Sequence, residues 1–173
     1  MKLSPKHIAE IEKRIKPEDR QAFIDQAITE AIRSFDTLHA KEVEMFVDGG
    51  SRGNPGPAGG GFAVYSGGKL VLKGSEYFGE KTNNQAEYLA LRHALREAYS
   101  KFGDVKIKCY MDSELVVHQM NGEYKVKSEN VQPLFAEVQR IKDQFKGFSI
   151  EHVKREQNKM ADKLANDAMD KRF

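Results

Sequence analysis

Apolar residues recur along this chain with two periods, and the change between them falls near residue 42. Before it, Ile8, Ile11 and Ile15 repeat at helical spacing, as do Ile24, Ile28, Ile32 and Phe35 beside Phe23, Ala27 and Ala31. Ser4 can cap the first helix, with Pro5 at its first position. Pro17 would break a helix interior but can start a second helix, with Glu18 and Asp19 at its positive end. The pattern predicts a helical hairpin over residues 1–42. After it Val43, Met45 and Val47 alternate, which predicts a strand ending at Asp48. A glycine-rich turn, Gly49 to Pro57, follows. Strands are predicted over 60–66 and 69–78, joined at Gly67-Gly68. Thr82 caps a helix over about 84–101, with Ala86, Leu89, Ala90, Ala94 and Leu95 facing inward. Next come a strand (105–111), a short helix (113–120), a loop (121–129), a helix (131–144), a strand (148–153) and a last helix (about 157–170). Three antiparallel strands followed by β–α alternation imply an α/β fold, a five-stranded mixed sheet flanked by helices.

Composition narrows this picture only a little. The length of 173 residues suits one catalytic domain, residues 43–173, with the hairpin as an appendage. No stretch approaches the ~20 apolar residues of a membrane span, and Met1 to Lys6 lacks the apolar core of a secretory signal. Cys109 is the only cysteine, which excludes an intrachain disulfide and a cysteine-built zinc site. A reducing, cytoplasmic setting without membrane contact is the expectation. The net charge of +2 excludes a protein that grips nucleic acid by bulk charge alone. Residues 1–42 hold eight Lys/Arg and eight Asp/Glu. A phosphate grip there is disfavoured, and packing on the catalytic domain or self-association as a homodimer is favoured.

The candidate chemistry lies in Asp48, Glu87, Asp112 and Asp162. Each falls where this fold brings strand ends and helix starts together. Taken singly, Asp48 could be a turn residue, Glu87 a helix-dipole residue and Asp162 a solvated helix position. Taken together, four converging carboxylates repel one another unless hard cations such as Mg²⁺ or Mn²⁺ join them.

The motifs around these acids carry a resemblance. Phe46 to Gly59 (FVDGGSRGNPGPAG) resembles the first-strand signature of type 1 ribonuclease H. Thr82-Asn83-Asn84-Gln85-Ala86-Glu87 is similar to its helix start, Tyr110-Met111-Asp112-Ser113 to its fourth strand, and Asn158 to Ala165 to its last helix. The four motifs occur in the family's order across residues 43–170. The resemblance implies a ribonuclease H fold and hydrolysis of the RNA strand of an RNA/DNA hybrid. It makes Asp48, Glu87, Asp112 and Asp162 ligands of two Mg²⁺ ions, with Mn²⁺ as a substitute. It also implies hybrid contacts by Gly49, Asn54, Thr82, Asn83 and Asn84, since such duplexes are read by 2′-hydroxyls and the minor groove.

The chain departs from the family pattern in three places. The histidine that many members carry before the last helix is missing from Val153 to Asn158, a shortened form similar to the archaeal and some bacterial branches. Glu156 or Arg155, assisted by Asn158, is the expected stand-in. The loop 121–132 holds only Lys125 and Lys127 where some members have a long basic insertion. Glu114 stands where glutamine is common. A hybrid-binding module without catalysis is the competing reading, and it gives no reason for all four acids to be present.

Overall fold

The computed structural model describes the backbone of residues 4–38 and 41–171, and the side chains of 4–31 and 41–171. Two compact units divide the chain, Met1–His39 and Ala40–Phe173.

In the first unit, α1 (Pro5–Arg14) starts where the Ser4 hydroxyl accepts the His7 amide at 3.4 Å. A 3₁₀ turn, Pro17–Asp19, leads into α2 (Arg20–Leu38). Arg20 ties the elbow, donating to the carbonyls of Ile15 at 3.0 Å and Glu12 at 2.9 Å. The predicted pair of helices is therefore present. Ile8, Phe23 and Ile28 are exposed, and no described side chain of this unit is buried. The side chains of Ile32 and Phe35 lie outside the described residues.

In the second unit, the strands are β1 (Glu42–Ser51), β2 (Gly56–Ser66), β3 (Lys69–Lys81), β4 (Lys106–Met111) and β5 (Gly147–His152). They form one mixed sheet in the order β3-β2-β1-β4-β5. β1 pairs antiparallel with β2 and parallel with β4. The helices are α3 (Asn83–Phe102), α4 (Glu114–Met120), α5 (Gln132–Lys142) and α6 (Lys159–Lys171). Val43, Met45 and Val47 from β1, Ile107, Cys109 and Met111 from β4, and Leu91, Ala94, Leu95 and Ala98 from α3 build the core. No described helix is long and apolar enough to cross a membrane.

Two strand boundaries correct the sequence expectations. β1 does not end at Asp48 but continues to Ser51, and β2 starts at Gly56 rather than residue 60. Gly49 and Gly50 stay in the ladder, opposite Gly60 and Gly59. Hydrophobic alternation is invisible where the paired residues are glycines, so this stretch reads as a turn. The turn is confined to 52–55 and closed by the Arg52 amide donating to the Pro57 carbonyl at 2.8 Å.

Helices lie on both faces of the sheet. A Cβ on Gly60 would meet Ala90 of α3, whereas one on Gly61 would meet the Ala161 carbonyl of α6 at 2.5 Å. Successive residues of a strand point to opposite faces. α3 and α6 therefore sandwich the sheet, and each packs closely against a glycine of β2.

Candidate active site

The sheet brings Asp48 and Asp112 together first. Val47 pairs with Met111 across the parallel β1–β4 ladder, so the next residue of each chain segment emerges side by side. Asp48 also lies opposite Gly61, the glycine beneath α6. That close approach sets Asp162, in the first turn of α6, over the same point. Glu87 arrives from the other face. A Cβ on Gly49 would lie 2.4 Å from the Ala86 carbonyl and 2.7 Å from the Glu87 Cα. Only a glycine there lets α3 approach β1 this closely. All four acids line one cleft of about 330 Å³.

The acids strain against one another. Burial pushes the Asp48 carboxyl up to about 7, and the charges of Asp112 and Asp162 add to this. Burial also pushes Glu87 up to about 7, while hydrogen bonds from Ser113 and Asn83 pull it back down. The Asn83 side-chain Nδ2 donates to Glu87 Oε1 at 3.2 Å, but Glu87 Oε2 is buried with no hydrogen-bond partner. Among the described residues, no three of these groups are already drawn in tightly enough to enclose an ion. The donor set nonetheless fits a hard divalent cation. It is all oxygen, it is crowded with like charge, and one of its buried oxygens lacks a partner.

Two residues of the segment before α6 act on this cluster. The Asn158 side chain is buried and donates to the Val47 carbonyl at 2.9 Å and to Asp112 Oδ1 at 3.1 Å. It locks α6 to β1 and orients Asp112. Arg155 lines the cleft and donates to Asp162 Oδ1 from Nε at 3.1 Å and from Nη2 at 2.5 Å. Glu156, the alternative stand-in, is exposed on the 3₁₀ turn Arg155–Gln157 and does not line the cleft. The structure thus brings Arg155 to the acids and leaves Glu156 outside.

Of the expected hybrid-contact residues, Gly49 and Asn83 line the cleft. Asn54 joins them indirectly, because its Oδ1 accepts the Asn83 amide at 3.1 Å and so pins the 52–55 turn to the start of α3. Thr82 caps α3 in a reciprocal bond with Gln85, and exposed Asn84 follows in the first turn. These two stand beside the cleft rather than in its wall.

Sequence reasoning missed Gly50, Ser51, Arg52, Asn166 and Met169, which complete the lining. Asn166 sits one helical turn after Asp162 and donates to its carbonyl at 2.9 Å. That i,i+4 spacing was a usable signal. The ion pair of Arg52 with Asp170 joins the β1–β2 turn to α6, and nothing local in the sequence announces it.

Known proteins share this fold. A ribonuclease H1 named LC11, solved in complex with an RNA/DNA hybrid, superposes with a TM-score of 0.71 at 42% identity, covering 75% of this chain and 97% of that one. The sheet order and the acid cleft define a ribonuclease H-like domain. A family model described as "Reverse transcriptase-like" matches residues 46–168. Ribonuclease HI of Halobacterium salinarum is 42% identical over 129 residues, 74% of this chain and 64% of its own length. The Mycobacterium tuberculosis "Bifunctional protein Rv2228c" is 43% identical over 131 residues, and the chain spans only 36% of its length. The chain belongs to the type 1 ribonuclease H family.

Proposed function

We propose that this chain hydrolyses the RNA strand of RNA/DNA hybrids by two-metal-ion catalysis, leaving 5′-phosphate and 3′-hydroxyl ends. One observation carries the reading: four carboxylates from distant parts of the sequence line a single cleft, with Asp48 and Glu87 pushed up to about 7. The names of the chain's relatives support the same reading.

Asp48, on the central strand, is the residue best placed to lie between two ions, and Glu87, Asp112 and Asp162 complete the ligand set. Two divalent ions held by these carboxylates would supply positive charge at both the entering and the leaving oxygen of an in-line displacement. Mg²⁺ is the proposed ion and Mn²⁺ a substitute. Asn158 holds the Asp112 carboxylate in its orientation. Gly49, Asn54, Thr82, Asn83 and Asn84 form the edge that meets the hybrid's 2′-hydroxyls and backbone. The end chemistry is tested by offering the cleaved RNA to a DNA polymerase. Direct primer extension is the expected result. A terminal 2′,3′-cyclic phosphate, which blocks extension, would contradict in-line attack by water.

Arg155 takes the auxiliary role, since it is the residue of its segment that touches an acid of the site. Replacing Arg155 by Ala is expected to lower turnover about tenfold. Glu156→Ala, on the exposed side of the same turn, is expected to leave turnover and metal dependence unchanged. Steady-state kinetics across a Mg²⁺ titration compare the two, and the reverse ranking would move the role to Glu156.

The helical unit serves self-association in this reading, in a cytoplasmic setting. It is neutral overall, shows an exposed apolar side and buries none of its described side chains. Deleting residues 1–39 is expected to convert a dimer into a monomer by light scattering. An unchanged mass would remove the association role.

A further inference from the structure

A second cavity, of about 260 Å³, is lined by residues of β1, β2 and the start of α6 and shares no lining residue with the acid cleft. Its walls include Glu44, Phe46, Tyr65, Met160 and Asn158, and no Lys or Arg lines it. Phe46 forms a fixed wall. It stacks on Tyr110 with ring centroids 4.9 Å apart and meets Tyr65 edge-on at 5.7 Å.

Two acceptors beside this cavity lack partners among the described residues. Asn158 is 1% exposed, and its Nδ2 is used by Val47 and Asp112. Its Oδ1, on the opposite branch of the amide, is buried without a hydrogen bond. An orphaned buried carbonyl of this kind costs about 1–3 kcal/mol unless something donates to it. The Glu44 carboxylate is the second, with no hydrogen-bond or ion-pair partner among the described residues. Its neighbour on β4, Lys108, is engaged by Glu42 at 2.8 Å. Met160 is 39% exposed at the mouth, and its unbranched thioether can turn aside to admit a ligand.

We propose that this cavity binds a guanidinium group. A guanidinium is flat enough to lie against Phe46 and Tyr65, cationic enough to pair with Glu44, and carries N–H groups in several directions, one of which reaches Asn158 Oδ1. A primary ammonium lacks the flat face, and a neutral urea lacks the charge. Because the same amide donates to Asp112, occupancy of the cavity is felt at the acid cleft through the polarised Asn158 side chain. The site does not depend on the hydrolytic reading, since it is built from residues outside the acid cleft.

The test is an NMR titration of the intact, metal-free chain, following the Asn158 side-chain NH₂ resonances. Agmatine is the free small-molecule probe, Gly-Arg-Gly the peptide probe, and N-carbamoylputrescine the control that keeps agmatine's ammonium but carries a neutral urea in place of the guanidinium. The Asn158 resonances are expected to shift saturably with either guanidinium probe and to ignore the urea. Tighter binding of the peptide assigns the site to an arginine side chain of another protein, and tighter agmatine binding to a free metabolite. Glu44→Gln is expected to weaken binding about tenfold. Tyr65→Ala is expected to weaken it severalfold, with thermal melts showing both variants folded. Unmoved Asn158 resonances, equal response to the urea, or undiminished binding by Glu44→Gln would overturn the proposal.

Discussion

Asp48→Asn is expected to lower hybrid cleavage by at least about a thousandfold while making the metal-free chain harder to melt at pH 8. Both effects follow from one carboxylate. Asp48 sits on the central strand, beside Asp112 and beneath Asp162, and its removal takes away the carboxylate proposed to lie between two ions. The stability gain follows from its proton affinity. The folded chain holds the Asp48 proton up to about pH 7, whereas the unfolded chain releases it near 3.8. Between these values the folded state binds more protons, so stability falls as pH rises through that window. Above it the full cost of the buried charge is present. Glu87, raised from 4.5 to about 7, acts in the same direction. The metal-free wild type should therefore lose roughly 2–3 kcal/mol between pH 5 and pH 8 from each of these two groups. Asp48→Asn should recover much of that loss at pH 8 and little at pH 5. Thermal melts in a chelator at the two pH values check this, and a variant less stable than wild type at pH 8 would contradict it. Added Mg²⁺ should raise the wild-type melting temperature more at pH 8 than at pH 5, because the ion competes with the protons.

Gly49→Ala is expected to have the next largest effect, on stability and activity together. The added methyl would sit 2.4 Å from the Ala86 carbonyl and 2.7 Å from the Glu87 Cα, both backbone atoms of α3. Neither can rotate away, so the helix must move off the sheet. A cost of roughly 3 kcal/mol follows from overpacking of this kind. Glu87 moves with the helix, so the remaining folded protein should cleave poorly even where it is fully folded. The adjacent Gly50→Ala is the control. Its methyl would find its nearest neighbours at 3.8 Å and 3.9 Å, an ordinary contact. Denaturant melts should show a large loss for Gly49→Ala and little for Gly50→Ala. Equal stability of the two would show that the close approach of α3 does not set the position of Glu87.

The acids, the element order and the helical pair were legible because they rest on local signals: strand alternation, helical spacing, caps and short motifs. The glycine stretches misled because one residue type serves opposite ends. At 49 and 59–61 the glycines mark where helices press on strands, although the same composition reads as a turn. Contacts between distant segments were the other blind spot. The donation from Asn158 to the Val47 carbonyl, the hold of Arg155 on Asp162, and the pairing of Arg52 with Asp170 depend on which elements become neighbours. Choosing Arg155 over Glu156 needed the orientation of one short turn, which no residue pattern encodes. The apolar side of α1 and α2 was visible in the sequence, and its exposure in Ile8, Phe23 and Ile28 is a structural finding.

The most direct test of the central claim compares cleavage of end-labelled RNA/DNA hybrid, RNA duplex and DNA duplex, with Mg²⁺ or Mn²⁺, by the wild type and by Asp48→Asn. The predicted result is cutting of the RNA strand of the hybrid alone, absent without metal and absent in Asp48→Asn. Hybrid cleavage that survives Asp48→Asn, or equal cutting of all three duplexes, would contradict the account.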